Sequence, residues 1–152
     1  MTYSDSYSPT NHLPDPLRQP AFYASVPTKR FFAWVVDSLL ILILVVIAIP
    51  LTGFLGLFIL FPLYVTVGFV YRVVTLTGGS ATLGMRLMAI EIRRANGQKL
   101  DLSTASLHTL GFTLCFSFFI LQIISGVLMV TTDKGQSLTD HVLGTVALNR
   151  RK

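Results

Sequence analysis

Asp37 is a carboxylic acid set within a long hydrophobic stretch, residues 31–49, in which Ser38 is the only other polar side chain. At membrane depth little water is available to solvate a carboxylate, so it must be paired, protonated or hydrated. Arg30 precedes it by about two helical turns and therefore lies on roughly the same face of a helix. An acid and a base aligned in this way predict either a pathway for charge or a structural ion pair.

The other reactive side chains form no catalytic pattern. Cys115 is the single cysteine and stands among apolar residues, which indicates a packing role and no intrachain disulfide. The CxxC and HExxH spacings of metal sites are absent, and the glycines at 78, 79 and 84 fit no phosphate-binding motif. No Ser, Cys or His belongs to a plausible nucleophilic constellation. We therefore expect no enzymatic activity, no metal and no cofactor.

The elements that must position Arg30 and Asp37 are hydrophobic. The chain is 52% hydrophobic and 12% charged, whereas a soluble domain is about a quarter charged. No Asp, Glu, Lys or Arg lies between Asp37 and Arg72, or between Asp101 and Asp133. Both intervals exceed the roughly 20 residues that cross a bilayer. The composition predicts a mainly α integral membrane protein, with the lipid bilayer as its first partner.

The apolar residues fall into three segments, at about 30–49, 54–73 and 105–130. The first two predict a transmembrane helical hairpin, because residues 50–53 hold the only turn signal between them. Pro62 is expected to kink the second segment. The third segment is too short for two crossings. It fits either a simple crossing or a re-entrant pair of half-helices broken near residues 122–126.

Charge predicts the orientation of the hairpin. Lys29 and Arg30 precede the first segment, and basic residues follow the second, at positions 72, 86, 93, 94 and 99. The turn between the two segments is uncharged, so both charged flanks and the N-terminus are expected in the cytoplasm. This pattern also accounts for the net charge of +5, and no basic stripe indicates a nucleic-acid partner.

Outside the apolar segments, the sequence predicts a tail and a small β element. Residues 1–28 are rich in Pro and Ser and contain no signal-peptide pattern, so they are expected to form a disordered cytoplasmic tail before a membrane domain at 29–150. Apolar residues recur at every second position over 88–92, as in a half-buried strand. Asn96-Gly97 then predicts a hairpin turn, with 98–102 returning. Residues 145–149 alternate again, which completes a small cytoplasmic β element.

Four blocks in order carry a family resemblance. They are Arg30 before the first segment, Asp37 within it, the block Gly-Gly-Ser-Ala-Thr-Leu-Gly-Met-Arg-Leu at 78–87, and Asp140 in Ser-Leu-Thr-Asp-His-Val-Leu-Gly-Thr-Val. Together they resemble the RDD family of bacterial membrane proteins, which is named for one arginine and two aspartates placed in this way. The resemblance covers about residues 26–150.

The resemblance implies a location in the bacterial cytoplasmic (inner) membrane. It also implies membrane transport, the usual supposition for the family, with cation/proton exchange proposed for some relatives. The chain departs from the family at two positions. His108 lies where the family often has an arginine, and Thr139 lies where it often has a histidine, with His141 after the aspartate. A basic partner of Asp37 or Asp140 would then be titratable.

Two functions fit these residues. In a cation/proton exchanger, Asp37 would bind a proton or a monovalent cation in turn, Arg30 would tune it, and Asp140 would act as a second carboxylate at the cytoplasmic mouth, with Arg86 and His108 as further tuning groups. In a non-transporting accessory or assembly protein, Arg30 or Arg86 would instead form a structural pair with Asp37. Because three segments enclose little space, we expect a homo-oligomer or another membrane protein as partner.

Overall fold

The computed structural model describes residues 13–150. Within this part the chain forms six α-helices and two strands, in the order α1 Val26–Leu51, α2 Leu60–Gly79, α3 Leu83–Leu87, β1 Ile90–Arg94, α4 Leu102–Ser117, α5 Phe119–Thr131, α6 Leu138–Leu143 and β2 Thr145–Asn149. Two single turns of 3₁₀ helix, Pro20–Phe22 and Leu55–Leu57, precede α1 and α2.

The two long helices α1 and α2 form the predicted hairpin. Both are long and apolar enough to cross a membrane. Large side chains such as Leu39, Ile43 and Ile47 are more than half exposed, as suits a surface that contacts lipid. Gly53, just after α1, has a φ of +61°, a conformation that glycine adopts without strain. The mainly helical membrane fold is therefore confirmed.

The predicted kink at Pro62 is wrong. The connection after α1 is longer than expected, and α2 begins only at Leu60. Pro62 therefore lies in the first turn of α2, where backbone N–H groups have no partner within the helix and proline is tolerated. It frees no carbonyl near the middle of the helix.

The third apolar segment is broken at Phe118, where α4 and α5 meet at a bend of 116°. The expected break at 122–126 is wrong. Thr113 and Ser117 each donate a hydroxyl hydrogen bond to the carbonyl four residues earlier, a contact that competes with the helical ladder and bends helices. Since β1 precedes α4 and β2 follows α6, their pairing brings both ends of the segment to one side, as the re-entrant alternative requires.

The predicted sheet is present and consists of two of the three predicted strands. β1 pairs antiparallel with β2, with Ile92 opposite Ala147. The predicted return strand at 98–102 is wrong, because Asp101 accepts a hydrogen bond from the Thr104 N–H and so caps α4, which begins at Leu102. Residues 98–102 are thus used to start a helix, and the distant β2 supplies the second strand.

The disorder predicted for residues 1–28 does not hold for 13–28, while 1–12 lie outside the described residues. The Tyr23 hydroxyl donates to the Pro14 carbonyl at 2.7 Å. The ring of Tyr23 belongs to an apolar cluster with Leu13, Phe22, Val146 and Leu148. This segment is ordered because it buries aromatic surface against β2, a contact that its composition did not reveal.

Candidate functional site

Asp140 forms the first of two buried carboxylate centres. The sequence Ser-Leu-Thr-Asp at 137–140 folds locally as a capping box at the start of α6. The Asp140 N–H donates to the Ser137 hydroxyl oxygen at 3.2 Å, and Asp140 Oδ2 accepts from the Ser137 N–H at 3.0 Å. Asp140 is completely buried, so this local structure fixes its carboxylate in the interior.

Three further elements reach the Asp140 carboxylate. Arg30 of α1 forms an ion pair with Oδ2. His108 Nε2 of α4 lies 2.9 Å from Oδ1, and Thr145 Oγ1 of β2 donates to the same oxygen at 2.7 Å. Burial raises the pKa of Asp140, but the Arg30 charge and the His108 hydrogen bond outweigh it and hold this pKa well below its ordinary value. The carboxylate therefore remains ionised and joins α1, α4, α6 and β2.

The expected pairing of Arg30 with Asp37 is wrong. Residues two turns apart share a helix face but are separated by about 10 Å along its axis, and the Asp140 carboxylate occupies the space beside Arg30. The pairing of Asp37 with Arg86 is also absent from the ion pairs within residues 13–150. The Arg86 guanidinium instead packs against Gly79, where an added Cβ would lie 2.6 Å from it.

Asp37 forms the second centre, and all its hydrogen-bond donors are neutral. Oδ1 accepts from the Tyr71 hydroxyl of α2 at 2.7 Å and from the Gly84 N–H of α3 at 2.8 Å. Oδ2 accepts from Thr82 Oγ1 at 2.6 Å. Asp37 is only 3% exposed. This carboxylate connects α1 to α2 and α3 without a cation in the ion-pair contacts of residues 13–150.

The block at 78–87 folds to present these donors. Thr82 caps α3 by accepting from the Met85 N–H, while its own hydroxyl hydrogen points to Asp37. Gly84 allows α3 to approach α1 closely, because a Cβ there would lie 2.2 Å from the Ala33 carbonyl oxygen. The Thr-Leu-Gly sequence thus has a structural reason. Thr82 supplies a hydroxyl donor to Asp37, and Gly84 supplies a backbone N–H donor without a side chain that would block the approach of α3 to α1.

A cavity of about 330 Å³ separates the two centres. We call it the sheet-side cavity because it lies toward the start of α1 and the end of α2. Arg30 and His108 border it from the Asp140 centre, and Asp37 and Thr82 border it from the other. Most of the remaining wall is apolar or aromatic. The arrangement places a buried carboxylate with neutral partners at the edge of a space large enough for ligands.

A second cavity of about 320 Å³, the turn-side cavity, lies toward the start of α2 and is bordered by Phe61 and Tyr64. The residues that border both cavities are Trp34, Arg72, Phe112 and Phe116. The Arg72 guanidinium carbon lies 4.7 Å from the centre of the Phe112 ring. These four side chains lie between the two cavities, and we call them the partition.

The sequence analysis missed the roles of Tyr71, Arg72 and Thr82. It placed Arg72 in a flank after the second segment, whereas α2 continues to Gly79 and leaves Arg72 well inside the helix. The apolar residues after Arg72, with no helix-ending residue before Gly78, were a signal that could have been used. The two hydroxyl donors had no signal of their own, because their role depends on where Asp37 lies.

Within the part of the chain that the structure describes, no three His, Cys, Asp or Glu side chains group as metal ligands. The buried side-chain nitrogen and oxygen atoms of that part all have hydrogen-bond partners. The chemistry of the site therefore lies in its hydroxyls, carboxylates and guanidinium groups.

The model of the RDD family matches residues 24–144, well over half of the chain, and the match contains Arg30, Asp37, Asp140 and the partition. No curated protein and no solved structure matches the chain. With its apolar spanning helices, the protein is an integral membrane protein, and the chain belongs to the RDD family.

Proposed function

We propose that this protein exchanges monovalent cations for protons across a bacterial inner membrane, with Asp37 as the exchanging carboxylate. The observation that carries the proposal is the contrast between the two centres. Asp140 is bound to Arg30, so adding a proton would leave a buried guanidinium without its counter-charge. Asp37 has neutral donors and borders a cavity, so its charge can change without breaking an ion pair.

The donors of Asp37 also suit a cation. A hydroxyl can donate or accept a hydrogen bond by rotating its hydrogen, so Tyr71 and Thr82 can turn lone pairs toward an incoming cation. Together with the carboxylate they supply oxygen atoms, the ligands that hard cations prefer. The Gly84 N–H stays on Oδ1 throughout and holds the carboxylate in place. A proton or a cation would then occupy the same site in turn.

The orientation and assembly belong to the same proposal. We propose that the N-terminus and the sheet lie in the cytoplasm, an orientation that the basic flanks support. Two spanning helices and one bent helix pair are too few to enclose a complete pathway across the membrane. We therefore propose a homo-oligomer, or a complex with another membrane protein, in which the neighbouring subunit closes the cavities.

Proteoliposomes of the full-length protein test this function. A pH gradient is imposed, Na⁺, Li⁺ or K⁺ is added in turn, and proton movement is followed with a pH-sensitive dye. Wild type and Asp37→Asn are compared with Asp101→Asn, which makes the same substitution at an exposed carboxylate outside both cavities. We expect cation-dependent proton release in wild type and Asp101→Asn and none in folded Asp37→Asn. Wild-type rates in Asp37→Asn would exclude Asp37 as the exchanging group.

A non-transporting accessory protein is the second candidate, and one observation favours it. The Asp37 carboxylate holds three helices together, as a purely structural group would. An asparagine there keeps its oxygen on the Gly84 N–H and turns its N–H₂ group to the Thr82 hydroxyl, whose own hydrogen then loses its acceptor at a cost of about 1–3 kcal/mol. A wild-type protein that shows no exchange, together with an unstable Asp37→Asn variant, would support this alternative.

A further inference from the structure

We propose that Arg72 anchors an anion site between the two cavities, suited to a small monocarboxylate with an apolar body. The site goes beyond the exchange proposed at Asp37 and does not depend on it. It rests on the position of Arg72, on its unused hydrogen-bond donors and on the aromatic side chains around it.

Arg72 lies inside α2, about 10 Å from the end of the helix at Gly79. Its Nη1 is 3.5 Å from the Gly68 carbonyl oxygen, one turn toward the turn-side cavity. The side chain thus points away from the sheet, the opposite of an arginine that extends along the helix to reach the near membrane surface. A charged group kept at this depth is expensive and commonly marks a site.

The Arg72 guanidinium has donors to spare. It carries five N–H donors, and the one hydrogen bond recorded for it within residues 13–150 is the contact with Gly68. Its flat face is covered by the Phe112 ring, and the side chain borders both cavities. In contrast to Arg30, it has no carboxylate oxygen within ion-pair distance in the described chain. Asp37 borders the same cavity, but its oxygens already accept from three neutral groups.

The chemistry of a ligand for the Arg72 guanidinium follows from this wall. A guanidinium edge binds a carboxylate through two parallel hydrogen bonds. Trp34, Phe112 and Phe116 border both cavities beside Arg72, so they provide apolar surface for the rest of the ligand. Each cavity, at about 330 and 320 Å³, is at the small end of ligand pockets. A short-chain carboxylate fits, and the anionic end of a lipid offers the same chemistry.

The protein carries its own reporter for the test. Trp34 is the only tryptophan of the chain, and it borders both cavities. The full chain in nanodiscs of phosphatidylcholine is titrated with hexanoate, and with hexanamide as the uncharged analogue, while tryptophan fluorescence is recorded. Arg72→Gln keeps an amide donor without the charge. Arg94→Gln is the matched control, because Arg94 lies on the sheet and borders neither cavity.

We expect hexanoate to bind wild type and Arg94→Gln at least tenfold more tightly than hexanamide, and Arg72→Gln to lose that preference. Equal binding of hexanoate to Arg72→Gln and wild type would overturn the proposal. So would equal binding of hexanoate and hexanamide to wild type, a comparison that needs no variant and stands even if Arg72→Gln fails to fold. No fluorescence response of wild type to hexanoate or to a lipid anion would overturn it too.

A second arm distinguishes the two sources of the anion. Nanodiscs that contain phosphatidylglycerol are compared with pure phosphatidylcholine. If a lipid anion occupies the site, phosphatidylglycerol weakens hexanoate binding to wild type and shifts the Trp34 emission, and both effects disappear in Arg72→Gln. If the site takes free carboxylates alone, hexanoate binds wild type equally in both lipids. Either result supports the anion site.

Discussion

Replacing Asp140 by asparagine is expected to lower the free energy of unfolding by about 3–5 kcal/mol, the cost of removing one partner of a buried ion pair. The Arg30 side chain is 11% exposed and the Asp140 side chain is fully buried, so Arg30 would lose its counter-charge without gaining water. Oδ2 faces Arg30 and the Ser137 N–H, which can only donate, so the amide would turn its oxygen to this side and its N–H₂ group to His108 and Thr145.

Unfolding of the purified protein in mixed micelles, titrated with SDS and followed by circular dichroism, measures this loss. Asp101→Asn is the control, since asparagine caps a helix as well as aspartate does, and it should stay within about 0.5 kcal/mol of wild type. Replacing Arg30 by Met together with Asp140→Asn should recover part of the stability, because no lone charge is left buried and the amide can still hydrogen-bond to Ser137 and Thr145. An Asp140→Asn variant within about 1 kcal/mol of wild type would refute the structural role of the pair.

Three further predictions use the same unfolding assay. Gly84→Ala should cost about 1–3 kcal/mol by overpacking, because its Cβ would lie 2.2 Å from the Ala33 carbonyl oxygen, whereas Gly78→Ala, with open space around it, should cost nothing. Because the pKa of Asp140 is depressed by folding, its contribution to stability is present above the unfolded pKa of about 3.9 and is lost as the pH falls through the lower folded value. The Asp140→Asn variant should lack this acid-sensitive part of the stability below about pH 4. Pro62→Ala should change stability by less than about 1 kcal/mol, since a proline in the first turn of a helix removes no helical hydrogen bond; a larger loss would show that Pro62 does shape α2.

Local patterns were sufficient to predict the membrane hairpin, β2 and, to within two residues, β1. The uncharged interval between Asp37 and Arg72 is about twice one crossing, and the turn residues at 50–53 divide it. The alternation at 88–92 and at 145–149 marks strands in any context, since period two is a property of the extended backbone. These features depend on residues that are near each other in the sequence.

The partners of the charged residues depend on the tertiary fold and could not be predicted in the same way. Arg30 and Asp140 are 110 positions apart, and the packing of α6 and β2 against the earlier elements brings them together. The spacing of Arg30 and Asp37 correctly predicted that both residues lie on one face of α1. Two helical turns separate them, however, and the Asp140 carboxylate binds Arg30 instead. Arg72 was misjudged because the end of α2 was placed too early.

The arginine and two aspartates that name the family are divided between two centres, and the sheet links those centres. Thr145 of β2 binds Asp140, and β1 returns to the block at 78–87 through the Ile92 N–H, which donates to the Ser80 carbonyl at 2.7 Å. A substitution at Asp140 that disturbs the sheet would therefore also displace the hydrogen-bond donors of Asp37. Loss of exchange in Asp140→Asn would consequently not show that Asp140 carries protons. The double replacement of Arg30 by Met and Asp140 by Asn separates the two roles, because it removes both charges and keeps a hydrogen-bonding side chain of the same size at position 140. If exchange persists in that variant, Asp140 is structural; if exchange is lost while the fold is intact, the assignment of exchange to Asp37 alone fails.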